Sequence, residues 1–251
     1  MFKNNFIISL CLLLGLNVYA QEIVTDRPDQ TESALCLYTS QLQVESGISW
    51  NFQDGDGFSS NSLVVPGTLF RYGLGGPLEL RVFQQLVRET NGTNALLGVA
   101  DLEVGLKFRL KDAANSSLKM AFLTHLIFPS GTEFLSNKKY GSLNKFCISH
   151  DVSENTSLGY NVGYNYYGQG KGDLSYSLSY GIGISDRTAM YVEAFGTVEE
   201  MEEFITNFDA GMTYLLKPNF QLDFSWGTGI QRKMNYVSVG VSWKTGGRGG
   251  M

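Results

Sequence analysis

The sequence predicts an all-β fold, an antiparallel up-and-down transmembrane β-barrel of about 12 strands, closed on itself. Three observations predict it. Apolar residues recur at every second position through twelve segments. Long, polar connections take turns with short ones along the chain. The residues opposite the apolar face are mainly serine, glycine, glutamine and charges of both signs. A soluble sandwich, the alternative for such strands, wets that face with bulk solvent and favours lysine, glutamate and threonine there. Composition agrees: 29 glycines, 13 tyrosines and 16 phenylalanines against 5 prolines in 251 residues favour strands and turns over helices. The formal net charge of −5 and the lack of a basic patch leave nucleic acid out as a partner.

Residues 1–20 have the form of an export signal. Lys3 supplies the positive start, "FIISLCLLLGL" (6–16) the apolar run, and "VYA" before Gln21 the small residues of a cleavage site after Ala20. Cys11 lacks the small residue before it that a lipid-anchored cysteine needs. No other stretch approaches the roughly 20 apolar residues of a spanning helix. A mature chain that enters a membrane therefore does so as a closed barrel.

Residues 21–38 make no strand pattern and carry Asp26, Arg27, Asp29 and Glu32. This segment either trails on the periplasmic side or folds up into the lumen and pairs with Arg71, Arg81 or Arg109, acting as a plug or gate. "DRPDQ" has turn chemistry, because Pro28 fixes its own φ and aspartates bond nearby backbone.

The barrel is expected over 39–245, with a tail at 246–251. The first strand, Ser40–Phe52, points Leu42, Val44, Ile48, Trp50 and Phe52 one way and Gln41, Gln43, Glu45 and Asn51 the other. The second, near 62–72, contains Pro66, which a strand tolerates at a bulge or end. The third is 78–87. The fourth, "VADLEVGLKFRL" (99–110), sets Ala100, Leu102, Val104, Leu106, Phe108 and Leu110 against Asp101, Glu103, Gly105, Lys107 and Arg109. The rest fall near 118–128, 142–152, 157–167, 174–185, 188–198, 207–216, 219–230 and 236–244. Long or polar gaps are expected at 53–61, 88–95, 129–141, 168–173 and 199–206. Short ones are expected at 73–77, 153–155, 186–187 and 217–219, whereas 111–117 is long for its class and 231–235 short. An even strand number then leaves both ends on the periplasmic side.

Trp50, Tyr72, Tyr176, Trp226 and Trp243 sit on the apolar face, many near strand ends, as aromatic girdles do at a lipid–water boundary. The apolar face is thus assigned to lipid and the polar face to the lumen. Twelve strands about 4.8 Å apart, tilted about 40°, close to a backbone diameter of roughly 24 Å. The side chains leave a gap of about 10 Å or less. The lumen residues are Glu45, Glu79, Asp101, Glu103, Glu193, Asp209 and Asp223 on the acidic side, and Arg71, Arg81, Lys107, Arg109 and Lys119 on the basic side. They form either a salt-bridged wall or a selectivity constriction, and the near balance of sign argues against strong ion selectivity.

"IVTDRPDQTES" (23–33) followed by "LQVESG" (42–47) resembles the opening of the MetA-pathway of phenol degradation family of exported barrel proteins. "FRYGL" (70–74), "LELRV" (78–82), "ADLEVGLKFRL" (100–110) and "NFDAGMTYLLKPNFQLDFSWGTGI" (207–230) agree, so the resemblance covers nearly the whole mature chain. Cys36 and Leu37 stand where proline is expected, and the tail "KTGGRGGM" departs from the usual terminal aromatic. The resemblance implies a Gram-negative outer-membrane transporter, surrounded by outer-membrane lipid and lipopolysaccharide and inserted by the barrel assembly machinery. It implies passage of a small solute, aromatic or hydrophobic by the family's name.

A structural or adhesive barrel is the first alternative. An outer-membrane lipid hydrolase is the second, and no enzyme is expected. Its histidine would be His125, on the lumen face, or His150, which shares a face with Phe146 and Ile148 near the periplasmic turn. No cofactor or metal is expected. "DGDG" (54–57) and "EEMEE" (199–203) read as solvated loops, and Cys36 and Cys147 as two thiols rather than a disulfide framework.

Overall fold

The structure is a computed structural model that describes residues 23–245 apart from 56–57, 92–93 and 114–115. The signal segment and the tail lie outside the described residues.

The described chain forms thirteen antiparallel strands. They are β1 (Leu42–Gly55), β2 (Phe58–Gly75), β3 (Leu78–Asn91), β4 (Asn94–Val99), β5 (Leu102–Lys111), β6 (Leu118–Phe128) and β7 (Gly141–Asp151). There follow β8 (Thr156–Tyr166), β9 (Asp173–Ser185), β10 (Thr188–Glu199), β11 (Glu203–Lys217), β12 (Phe220–Gly229) and β13 (Lys233–Lys244). Sequence neighbours pair throughout except β4 and β5, which both pair with β3, and β1 pairs with β13 through twelve residue pairs from Gln43↔Lys244 to Asp54↔Lys233. The sheet therefore closes around the barrel, and only the short β4 keeps an outer edge without a strand partner.

Twelve staves, rather than thirteen, make the wall, because β4 and β5 share one stave. β3 pairs with both, at Leu86↔Val99 and at Phe83↔Glu103. One extra residue therefore lies on the β4–β5 side between those pairs. The fourth expected strand is broken there, at Ala100–Asp101. Gln84 Nε2 donates to the Ala100 carbonyl at 2.7 Å, and Asp101 accepts from Gly131 N at 2.8 Å. The extra residue explains why simple alternation misplaces this stretch: a bulge flips the faces on either side of it. The outer edge of β4 is capped by Thr132, whose N donates to the Val99 carbonyl at 2.8 Å and whose Oγ1 accepts from Val99 N at 2.9 Å. Pro66 also sits at a bulge, where the β2 register shifts between Val64 and Gly67.

Several expected gaps are paired strand. β1 and β2 continue to Gly55 and from Phe58, β3 runs to Asn91 with β4 resuming at Asn94, and β10 ends at Glu199 with β11 starting at Glu203. Their polar residues suit strands that rise clear of an apolar layer into water. The expected alternation of long and short gaps is therefore muted. At the end of the barrel away from the termini, only 129–140 and 167–172 are sizeable. That end is called the loop end below; the end bearing both termini is the turn end.

Burial separates the faces as expected. Ile48, Trp50, Tyr72, Leu178, Trp226, Val239 and Trp243 are exposed on the outside. Gln43, Glu45, Arg71, Glu79, Arg81 and Lys107 are among the most buried side chains of the molecule. A protein with charges inside and apolar side chains outside is inverted relative to a soluble domain. The wide outer face is suited to hydrocarbon.

Candidate functional site: a segment folded into the lumen

What fills the barrel is its own N-terminal segment. Ile23 N donates to the Pro218 carbonyl at the turn end, and the Tyr38–Gln41 turn leads into β1 beside Gly73. Between those points the chain rises into the lumen and returns as a closed loop. Ser33 N donates to Asp26 Oδ1 at 2.8 Å and so ties the loop's neck.

Two different walls hold it. On the side of β1, β2, β3 and β5 the hold is ionic. Arg71 and Arg81 are directly opposite on β2 and β3, a like-charge pair that is unfavourable alone. Asp26 resolves it. Its Oδ2 lies 2.6 Å from Arg81 Nη1 and 3.2 Å from Arg71 Nη1, and its Oδ1 lies 3.2 Å from Lys107 Nζ. Glu79 bridges Arg71 at 2.8 Å and Arg81 at 3.1 Å, while Glu45 bonds Arg71 at 2.9 Å. Glu45 Oε2 also accepts the backbone N–H groups of Asp26 and Arg27, at 2.9 and 3.0 Å. Glu32 reaches Arg81 at 2.8 Å and Lys145 at 3.8 Å. Burial alone would raise the pKa of Asp26, but the charges of Arg71, Lys107 and Arg81 outweigh it and hold the carboxyl well below the usual range.

Across the lumen the hold is by neutral hydrogen bonds and buried carboxylates. Gln30 N donates to Glu193 Oε2 at 2.7 Å, and Thr31 Oγ1 donates to Glu193 Oε1. Glu32 N and the Asn161 side chain exchange hydrogen bonds at 2.6 and 3.1 Å. Tyr236 Oη donates to Asp209, which lies directly opposite Glu193 on β11. Asp29 sits among these acids. Burial, then the nearby Glu193 charge, pushes its pKa well above the ordinary carboxylate value, against a hydrogen bond from Ser179. Arg27 spans the remaining side, with Nη2 2.8 Å from Asp223 Oδ1 and 2.9 Å from Ser238 Oγ.

The loop divides the lumen in two. A cavity of about 670 Å3 opens toward the loop end, and one of about 390 Å3 toward the turn end. Arg27, Pro28, Asp29 and Glu32 line both, so these residues are the partition.

The sequence-selected residues distribute unevenly. Glu45, Arg71, Glu79, Arg81 and Lys107 gather around Asp26, and Glu193, Asp209 and Asp223 line the far wall. Glu103 faces the larger cavity and bonds His125 Nδ1 at 2.8 Å, while His125 Nε2 accepts from Arg81 Nε at 3.1 Å. Three selected residues lie apart from the partition. Asp101 caps the break between β4 and β5. Arg109 meets the Gly76 carbonyl and Asp112 at the turn end, and it makes no ion pair with the loop carboxylates. Lys119 pairs with Asp151 at 2.8 Å at the mouth of the smaller cavity. Strand parity fixes a residue's face but not its height along the barrel, so sequence alone groups these ends with the centre. Lys145, Asn161 and Tyr236 are not among the residues the sequence singles out, and His125 is singled out only as a lumen-facing histidine of the hydrolase alternative. Only their parity on polar faces pointed to them.

His150 stacks on Tyr160, its Nε2 3.1 Å from the phenol oxygen, on the outward face. Cys36 and Cys147 are both buried free thiols, and burial pushes the Cys36 thiol up to about 11.

The family model described as "Putative MetA-pathway of phenol degradation" matches residues 25–244. The chain belongs to this family. Among solved structures, the fold is similar to the COG4313 outer membrane channel from Pseudomonas putida F1, with a TM-score of 0.68 at 11% identity, over 84% of this chain and 97% of that one. It is also similar to the KdgM porin, with a TM-score of 0.51 at 11% identity, over 78% of this chain and 98% of that one. At such identities the likeness shows the shared fold, a closed barrel of outer-membrane type. Neither of these proteins is an enzyme by its description. No curated protein matches the chain in sequence.

Proposed function

We propose that the chain is an outer-membrane channel for small solutes, shut at rest by its N-terminal loop. The turn end then faces the periplasm and the loop end the exterior. The observation that carries this reading is the partition: two cavities meet at the same four residues, Arg27, Pro28, Asp29 and Glu32. A purely structural barrel has no need of lumen space on both sides of a removable segment. The family's description points to aromatic solutes, and the polar lumen favours those bearing hydroxyl groups. Mixed charge around the loop serves to hold it rather than to sort ions. Outward-facing apolar residues mediate contact with outer-membrane lipid, with lipopolysaccharide around the loop end, and the barrel assembly machinery is the route of insertion.

The test is conductance in planar bilayers. The intact chain gives brief, rare openings, and removal of residues 21–38 gives a steady pore. Silence from both would leave a sealed structural barrel.

A further inference from the structure

We infer that the shut protein holds a proton on Asp209, shared with Glu193, and that the loop is bound through this acid pair, so that shutting takes one proton from solvent and opening returns it. The inference rests on the reading of the loop as a gate for its use, but not for its chemistry.

Glu193 on β10 and Asp209 on β11 are directly opposite, and both are buried. Their side chains are hydrogen-bonded to each other. Two ionised carboxylates have only acceptors to offer, so such a bond exists only when one of them carries a proton. The remaining bonds say which one. Glu193 Oε2 accepts from Gln30 N at 2.7 Å and Glu193 Oε1 accepts from the Thr31 hydroxyl, so both of its oxygens already serve as acceptors. Asp209 Oδ2 accepts from Tyr236 Oη, whereas Asp209 Oδ1 meets no donor. A proton on Asp209 Oδ1, donated to Glu193, completes the set. That oxygen is closed to solvent, so a proton is the species that fits there.

The neighbouring groups favour the proton. β10 adds Tyr191, β13 adds Tyr236, and the loop adds Asp29 and the Gln30 side chain. β9 presents Ser179 opposite Glu193, and β12 presents Gly227 opposite Asp209. The cations nearby are engaged elsewhere. Lys145 of β7, whose charge reaches Glu193, lies 3.8 Å from Glu32, and Arg27 is bound to Asp223.

The loop couples this proton to the gate. Its withdrawal takes the Gln30 and Thr31 donors from Glu193 and admits water. Both acids then ionise as ordinary carboxyl groups do, above about pH 4. On insertion water is expelled, an O–H bond forms on Asp209 from a solvent proton, and the pair keeps one negative charge. On opening that bond breaks and the proton passes to water in the lumen.

Infrared spectroscopy of the full chain in lipid vesicles reads the proton directly, through the carbonyl stretch of an un-ionised carboxyl group and its shift in heavy water. Asp29→Asn serves as the background, because burial opposes ionisation of Asp29 as well. At about pH 6, where an ordinary carboxyl group is ionised, the band is expected in Asp29→Asn, and its Asp209 component is expected to be lost when Asp209→Asn is added. Glu193→Gln in the same background is the second variant. Its amide donates to Asp209, which then ionises, and the same component is lost. Each variant is checked for intact barrel migration on unheated gels. In bilayers, the rise in opening between about pH 6 and 8 is expected to shrink at least about 10-fold in Asp209→Asn, whose amide stands in for the protonated acid at every pH. Spectra that neither variant changes overturn the inference, as does a pH response of opening that Asp209→Asn leaves untouched. Because the band reads a proton in the shut barrel, a chain that never conducts leaves the shared proton standing. A conducting chain without the band sinks only the inference.

Discussion

Arg27 occupies the space that a side chain on Gly240 would need. A β-carbon built on Gly240 collides with the Arg27 guanidinium, and one on Gly47 does the same. Gly47 and Gly240 are directly opposite on β1 and β13. Together they make a bare patch of wall on which the guanidinium lies flat while reaching Asp223.

Gly240→Ala should therefore unseat Arg27 without unfolding the barrel. Loss of a charge-assisted hydrogen bond costs about 1.5–3 kcal/mol, so the open fraction should rise by at least about 10-fold. Bilayer recordings of the variant check this, with gel migration as the control for folding.

Asp26→Asn attacks the other wall. Arg71, Arg81 and Lys107 would then face one another with one carboxylate fewer. Removing one partner of a buried ion pair costs about 3–5 kcal/mol, so opening should rise by at least about 100-fold. The expected signs are frequent openings and greater sensitivity of the host cell to small antibiotics normally excluded.

Asp29 gives a pH dependence whose sign can be worked out. Its pKa in the inserted loop is raised, by burial first and then by Glu193. Once released into water it titrates near 3.9. Below that value both forms are protonated and there is no difference. As pH rises above it, the released form ionises freely and the inserted form resists, so release is increasingly favoured. Asp26 has the opposite shift and is ionised in both forms above about pH 5, so it adds no slope there. Open probability should climb as pH rises above about 4, and Asp29→Asn should flatten the climb.

Val239 lies mid-way along β13 and is 50% exposed on the outside. Val239→Lys should cost about 2–4 kcal/mol of folding stability in lipid vesicles, the cost of a lysine near the bilayer midplane. A spin label there should report oxygen-rich hydrocarbon rather than water-soluble quencher.

The faces of the staves were legible because period two leaves no choice once one face is apolar. Gln43 and Glu45 against Val44 and Ile48 is sufficient to orient β1. The bulge at Ala100–Asp101 was not legible, because one added residue leaves the alternation within β5 unbroken and inverts parity only between β4 and β5. The loop's acidic and basic residues announced that it needed partners, and Arg71 and Arg81 were among those named. Arg109 was named too; near the turn end it lies over the Tyr38 ring of the segment, 5.8 Å from the centroid, rather than on one of its carboxylates. The neutral half of the hold was silent in sequence. Asn161 and Ser177 look like any polar lumen residues until Glu32 and Thr31 are placed beside them.

The turn at Tyr38–Gln41 joins the loop to β1 with almost no slack. A stopper on so short a leash cannot diffuse away, and its local concentration at the lumen is set by the covalent chain rather than by expression level. On the proposed gating, reclosure would be a unimolecular event, equally fast in a crowded membrane and in a single reconstituted vesicle. Each molecule would then carry its own means of recovering from leakage.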